Sequence, residues 1–143
     1  MRFFFYGTLM DADVRRAVLG PHAPRHVEPA LLRGWRRLPV RGRTYPVIVA
    51  DPAASVDGVL VRGLNAAARR RLERYEDADL YAAATVDVLP AGRARPVQAL
   101  VFVANFVAKA PGVRRGSRRW EIGDWRRRHK RRFLLTLGRR PAA

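Results

Sequence analysis

The strongest constraint on the fold of this chain lies at its start, where three phenylalanines, Phe3–Phe5, run on into a Tyr-Gly-Thr-Leu segment over residues 6–9. Successive side chains of a strand point to opposite faces, so a strand with this composition is apolar on both. We therefore expect residues 2–6 to form a central strand. Gly7 predicts a tight loop, because glycine adopts backbone conformations closed to other residues. Successive N–H groups in such a loop can hold an anionic group.

Further strands follow along the chain, and most are joined by short turns rather than by helical crossovers. The predicted strands cover residues 30–38, 45–50, 55–63, 81–89 and 96–105. Gly34 is interpreted as a bulge, Asp51-Pro52 as a turn, and residues 21–29 and 109–119 as loops. This order indicates the α+β class, with a largely antiparallel or mixed sheet that is either open or closed into a barrel.

Helices are predicted at three places between and after these strands. They cover residues 12–19, 66–76 and 125–137, with Asp11, Asn65 and Asp124 as their N-caps. The last helix carries an apolar stripe, which we expect to pack on the sheet. The stripe consists of Trp125, His129, Phe133, Leu134 and Leu137.

Composition limits the chemistry that this chain can perform. It has 143 residues and no cysteine, which favours one domain and excludes thiol catalysis, Cys-ligated zinc and disulfides. The spacing of His22, His26 and His129 does not suggest a metal site, so we expect no metal. No apolar run approaches the roughly 20 residues that span a bilayer, and the start lacks a signal peptide. We therefore expect a cytoplasmic protein without a membrane span.

Positive charge is concentrated at the end of the chain. The net charge is +17, and residues 109–143 hold 13 Arg and Lys against 2 acids, a net of +11. We expect residues 1–108 to form the main domain, with 109–143 as an Arg-rich loop and a helix packed on it. The arginines are either solvated surface charges or a face that attracts nucleic acid or an acidic partner. We favour the first interpretation.

Glu76 is the candidate catalytic group. On a helix over residues 66–76 it shares a face with Ala68, Leu72 and Tyr75, which predicts a carboxylate turned toward the core. A carboxylate at a helix C-terminus is disfavoured by the dipole, and burial raises the pKa of such a group toward the range of a general base. The alternative is that Glu76 faces solvent or pairs with an arginine from another segment.

The Phe-Tyr-Gly-Thr-Leu motif over residues 5–9 resembles the signature of the γ-glutamylcyclotransferase-like superfamily. More specifically, it resembles the AIG2-like branch, which is similar to γ-glutamylamine cyclotransferases. The resemblance spans roughly residues 3–103. It continues through Arg-Thr-Tyr-Pro-Val-Ile at 43–48, Val-Asp-Gly-Val-Leu at 56–60, Leu-Glu-Arg-Tyr-Glu at 72–76 and Tyr81. Asp77 and Ala83 depart from it, since the family often has Gly and Arg at these places.

The resemblance implies a small mixed, mostly antiparallel β-barrel with flanking helices and an enzyme that needs no cofactor. The implied activity turns a small γ-glutamyl amide or amine into 5-oxoproline, with Glu76 as general acid and base. The implied substrate-binding loop comprises Tyr6, Gly7, Thr8 and Leu9, and further candidates for the substrate pocket are Arg43, Tyr45 and Tyr81. The alternative is a catalytically inactive barrel that acts as a binding module, with its basic C-terminal helix for nucleic acid or an acidic partner.

Overall fold

The strands of the protein close into a barrel. The computed structural model describes residues 1–24, 26–76, 81–104 and 119–138. Its strands are β1 (Phe3–Phe5), β2 (Val27–Pro39), β3 (Pro46–Val61), β4 (Tyr81–Pro90) and β5 (Val97–Ala104). Around the barrel their order is β1-β3-β2-β4-β5, with β5 and β1 parallel and every other pair antiparallel. The predicted α+β class and mixed, mostly antiparallel barrel are confirmed.

The short strand β1 lies at the centre of the fold, as its composition predicts. It pairs with β3 on one side and with β5 on the other, and all three of its phenylalanines are buried. Gly58 on β3 permits this packing, because a Cβ there would lie 2.4 Å from the carbonyl oxygen of Phe5 and 2.5 Å from the ring of Phe4. The strand is therefore tightly packed at the centre of the fold, and the segment that follows β1 starts from this buried position.

The hairpin of β2 and β3 is longer than the sequence pattern predicts. The predicted turn at Asp51-Pro52 is wrong as a strand boundary, because β3 runs without a break from Pro46 to Val61. Gly34 forms the predicted bulge with a φ of +87°, and the register shifts so that Ser55 faces Arg33. Residues 51–54 therefore remain part of β3 and lie opposite the bulge at Gly34. Likewise, Val27–Pro29 belong to β2 and not to the predicted loop over 21–29.

The first two helices have the predicted starts. Helix α1 (Ala12–Leu19) is capped by Asp11, whose side chain accepts hydrogen bonds from the N–H groups of Asp13 at 3.0 Å and Val14 at 3.2 Å. Helix α2 (Ala66–Tyr75) is capped by Asn65, which accepts the N–H of Ala68 at 2.9 Å. Short polar side chains at these positions satisfy N–H groups that a helix leaves without partners.

The predicted helix over 125–137 is wrong as a single element. The structure has α3 (Ile122–Arg128) and α4 (Lys130–Gly138), separated at His129 by a backbone φ of −128°. His129 is therefore exposed and not part of the predicted apolar stripe, whereas Trp125 is buried and Phe133, Leu134 and Leu137 pack against the core. Tertiary contacts explain the break, since Trp125 fills the core while Lys130 binds Asp11 and Asp13.

No helix within the described ranges has the length and hydropathy needed to cross a membrane. The predicted loop over 109–119 falls outside the described residues up to position 118, and so does Asp77, which departs from the family motif.

Candidate active site

A cavity of about 180 Å³ opens where β1 passes into the following turn. It is lined by seven of the eight site residues predicted from the sequence. These are Tyr6, Gly7, Thr8, Leu9, Tyr45, Glu76 and Tyr81. The eighth, Arg43, is exposed and does not line the cavity. Segments that lie far apart in the sequence thus meet at one end of the barrel.

The turn after β1 is a short 3-10 segment, Thr8–Met10, closed by its own backbone. The N–H of Met10 donates to the carbonyl oxygen of Gly7 at 2.9 Å, and the N–H of Asp11 donates to that of Thr8 at 3.0 Å. These two donors are therefore used within the turn. The three preceding residues, 7–9, line the cavity.

Gly7 lies where the turn packs against β3. Its φ and ψ are −120° and −137°, so its φ is outside the left-handed region. A Cβ at this position would lie 3.1 Å from Cδ of Pro46, which is closer than ordinary van der Waals contact. Glycine therefore lets the turn pack directly against the start of β3.

Two buried tyrosines shape the cavity wall. The hydroxyl of Tyr6 donates to the carbonyl oxygen of Phe102, and that of Tyr81 donates to the carbonyl oxygen of Pro46 at 2.5 Å. Burial raises the pKa of both phenols, and the negative charge of Glu76 raises each further. Both hydroxyls therefore remain protonated near neutral pH and serve as donors.

Glu76 reaches the cavity from the end of α2 and not from a helical face. The helix ends at Tyr75, and Glu76 is its C-cap with extended φ and ψ of −74° and 139°. Its N–H donates to the carbonyl oxygen of Leu72 at 2.9 Å, and the residue is half-buried. The prediction that this helix face turns toward the core is correct for Ala68 and Leu72, which are buried. The prediction that Glu76 lies on the same helix face is wrong, because the chain leaves the helix at this residue.

Five aromatic residues that line the cavity were not predicted as site residues, and two of them, Tyr75 and Phe133, come from helices. Tyr75 places its hydroxyl 2.7 Å from Oγ1 of Thr8 and so connects the end of α2 to the turn. Phe133 of α4 packs edge-on against Tyr75, with ring centroids 6.3 Å apart, and lines the cavity. Both residues belong to helix faces that the sequence pattern predicts to pack toward the core. Nothing in their local pattern distinguishes a wall of a cavity from a wall of the core.

A hydrogen-bonded cluster supports the turn from outside. Nη1 of Arg15 donates to the carbonyl oxygens of Leu9 at 2.9 Å and Met10 at 2.7 Å. The carboxylate of Asp11, whose side chain is 2% exposed, accepts from Nε of Arg126 at 2.7 Å and lies 3.0 Å from Nζ of Lys130. The turn, α1 and the two C-terminal helices are thereby joined.

Within the described ranges, no three His, Cys, Asp or Glu side chains are grouped closely enough to hold a metal ion. His26 and His129 are exposed. Among the described residues, those that line the cavity include one acidic residue, Glu76, together with the turn and several aromatic residues.

A family model described as gamma-glutamyl cyclotransferase, AIG2-like, matches residues 3–127. The chain belongs to this family. Curated members from Arabidopsis thaliana are similar over nearly the whole chain. AIG2-like protein C is 29% identical over 133 residues, which is 93% of this chain and 73% of the relative. Protein AIG2 C is 28% identical over 134 residues, which is 94% of this chain and 77% of the relative.

Solved structures share the fold of this AIG2-like chain. A solution structure of another Arabidopsis thaliana protein has a TM-score of 0.69 at 24% identity and covers 94% of this chain and 86% of its own. A gamma-glutamyl cyclotransferase from yeast, described as specific to glutathione, has a TM-score of 0.61 at 13% identity and covers 82% and 73%. The barrel is therefore one on which cyclotransferases are built.

Proposed function

We propose that this protein cyclises a small γ-glutamyl amide or amine to 5-oxoproline and releases the amine. The observation that carries this proposal is a single cavity that contains both Glu76 and the turn over residues 6–9. Membership of the gamma-glutamyl cyclotransferase, AIG2-like family supports it. The proposed roles are general acid and base for Glu76 and substrate binding for the turn.

In the proposed reaction, the α-amine of the γ-glutamyl unit attacks the carbonyl carbon of its own side-chain amide. A new C–N bond closes a five-membered ring, and the C–N bond to the leaving amine breaks. The uncharged α-amine loses one proton and the departing nitrogen gains one. The reaction is therefore balanced without water, an oxidant or any other co-reactant.

Glu76 would carry that proton. Its carboxylate accepts the proton from the attacking amine and then returns it to the leaving nitrogen, which is the work of a general base followed by a general acid. Both reacting groups belong to one molecule, so a serine or cysteine nucleophile is not needed. The protein contributes most by holding the amine and the carbonyl in an attacking geometry.

The turn would hold the anionic part of the substrate. The N–H groups of residues 7–9 face an α-carboxylate or the oxyanion that forms at the attacked carbonyl, and preorganised donors of this kind stabilise developing charge. Tyr6 and Tyr81 would shape the wall. Their hydroxyls already donate to Phe102 and Pro46, and their raised pKa values prevent them from acting as bases near neutral pH.

The test is release of 5-oxoproline from a panel of γ-glutamyl amides by the parent protein and by Glu76→Gln. We expect Glu76→Gln to lower kcat/KM by at least about 100-fold, the usual worth of a general acid and base. Glu73→Gln is the matched control, because Glu73 lies on the same helix, is exposed and pairs with Arg69 at 3.0 Å. It should retain the activity of the parent. An active Glu76→Gln protein would remove Glu76 from the mechanism.

A parent protein that turns over no member of the panel would contradict the enzymatic proposal. The alternative is a binding module that contacts its partner through the exposed Arg131 and Arg132 of α4. Its test is retention of RNA on a filter, which should weaken as salt rises if the contacts are to phosphates. Loss of retention in an Arg131→Gln, Arg132→Gln double variant would support a nucleic-acid partner, and undiminished retention would contradict it.

A further inference from the structure

Phe133 enters the cavity from a part of the chain that lies beyond the family match. The match ends at residue 127, and Phe133 belongs to α4, Lys130–Gly138. Its ring lines the same cavity as Glu76. The C-terminal helix therefore supplies a wall of the candidate active site from beyond the residues that the family model matches.

The position of this ring is well defined. It packs edge-on against Trp125 and Tyr75, with centroids 5.3 and 6.3 Å away, and Trp125 is 1% exposed. One turn earlier, Nζ of Lys130 lies 3.0 Å from a carboxylate oxygen of Asp11 and 2.7 Å from one of Asp13. Contacts on two sides thus hold α4 against the rest of the fold, and the ring forms part of the cavity wall.

We infer that Phe133 is a specificity-determining residue, whose ring sets the size of the amine substituent that the cavity accepts. The inference rests on the proposed function. The cavity measures about 180 Å³. Because close-packed walls move little to admit a larger ligand, the volume of the Phe133 ring limits the volume left for the substrate. The neighbouring aromatic walls, Tyr45, Tyr75 and Phe102, favour an apolar substituent on that amine.

The experiment compares a graded series of substrates with two opposite substitutions. The series comprises the γ-glutamyl methylamide, butylamide and benzylamide, assayed for 5-oxoproline with the parent, Phe133→Leu and Phe133→Trp. We expect Phe133→Leu to raise kcat/KM for the benzylamide relative to the methylamide by about tenfold or more, the scale of discrimination in apolar pockets. Phe133→Trp should shift the same ratio in the opposite direction.

Leu135→Ala is the matched control, because Leu135 lies on the same helix and is 57% exposed. It should leave the ratio unchanged. A ratio that stays constant in both Phe133 variants, or that moves equally in Leu135→Ala, would overturn the inference. Phe133→Leu is preferred to alanine because it retains an apolar side chain against Trp125, so that folding is preserved.

Ligand binding separates this inference from the proposed function. The same three amides are titrated by calorimetry into Glu76→Gln and into Glu76→Gln with Phe133→Leu. If the parent shows no turnover but Phe133→Leu selectively tightens binding of the benzylamide, the proposed reaction fails and the assignment of Phe133 survives. If the three amides do not bind, or all change affinity equally, the assignment of Phe133 is wrong.

Discussion

At the scale of single residues, the turn at the cavity depends on one buried arginine. Arg15 is 7% exposed and donates to the carbonyl oxygens of Leu9 and Met10. Burial lowers its pKa, and the nearby carboxylate of Asp11 opposes that shift. An arginine nevertheless stays charged at any pH at which a protein folds. The guanidinium therefore holds the end of the turn, directly after residues 7–9, whose N–H groups are proposed to bind substrate.

We expect Arg15→Met to lower the free energy of unfolding by about 1–3 kcal/mol, because one buried and one partly buried carbonyl oxygen lose their donor. Urea denaturation measures the change. The control is Arg16→Met, since the neighbouring Arg16 side chain is 71% exposed, and it should change stability by no more than about 0.5 kcal/mol. Equal effects in the two variants would show that the bonds from Arg15 contribute nothing specific.

At the scale of elements, the site is held together where α2, β1 and β3 approach one another. Tyr75, the last residue of α2, bonds to Thr8 in the turn, and Gly58 lets β3 lie against β1. Neither contact is local, because each joins segments separated by more than fifty residues. The geometry of the cavity therefore depends on two contacts that can be tested separately.

The contact between Thr8 and Tyr75 is tested by a double-mutant cycle with Thr8→Val and Tyr75→Phe. We expect a coupling energy of about 0.5–1.5 kcal/mol, the net contribution of a partly buried hydrogen bond. Chemical denaturation of the parent, the two single variants and the double variant gives this value. Strictly additive single effects would mean that the two hydroxyls do not interact.

Gly58→Ala is expected to destabilise the protein by about 1–3 kcal/mol or more, because the new Cβ overlaps the backbone oxygen of Phe5 and the ring of Phe4. The control is Gly123→Ala in α3, where a Cβ would lie 3.6 Å from the flexible end of Arg127. Alanine there should be neutral or stabilising, since glycine is a poor helix former. Thermal unfolding of both variants measures the contrast. A stable Gly58→Ala protein would contradict the close approach of β3 to β1.

At the scale of the whole molecule, a charged cluster ties the C-terminal helices to the rest of the fold. Burial by itself raises the pKa of Asp11. Hydrogen bonds from Arg126, Lys130 and the N–H of Val14 lower the pKa by more than burial raises it, so the net pKa lies below its ordinary value. A group whose pKa is lower in the folded state stabilises that state when ionised. Asp11 therefore links pH to the attachment of α3 and α4.

The sign of this linkage gives a prediction. The stabilisation from Asp11 is fully present above the ordinary pKa of an aspartate, about 3.9, and is lost as the pH falls through the lower folded value. We expect Asp11→Asn, which can still cap α1, to be less stable than the parent near neutral pH and to lose less stability on acidification. Urea unfolding between about pH 6 and 3 measures both slopes. Parallel slopes would exclude Asp11 as a source of the acid sensitivity.

Much of the fold, and seven of the thirteen residues that line the cavity, were predictable from the sequence. Asp11 and Asn65 cap helices where predicted, Gly34 forms the bulge, and the apolar residues Phe3–Phe5 form a central strand. The boundaries that failed are those at which pairing with a distant partner overrides a local signal. Asp51-Pro52 is a turn signal by itself, yet it is absorbed into β3 because β2 pairs on both sides of it.

The sequence by itself determined the start of each of the first two helices, the class of the fold and the family, because caps, periodicity and motifs act over a few neighbouring residues. Only the tertiary structure decided that Glu76 leaves its helix at the cavity, that the helix breaks at His129 and that Phe133 lines the site. These features depend on contacts between segments far apart in the chain. The free energy of such contacts comes from packing and burial that no local pattern records.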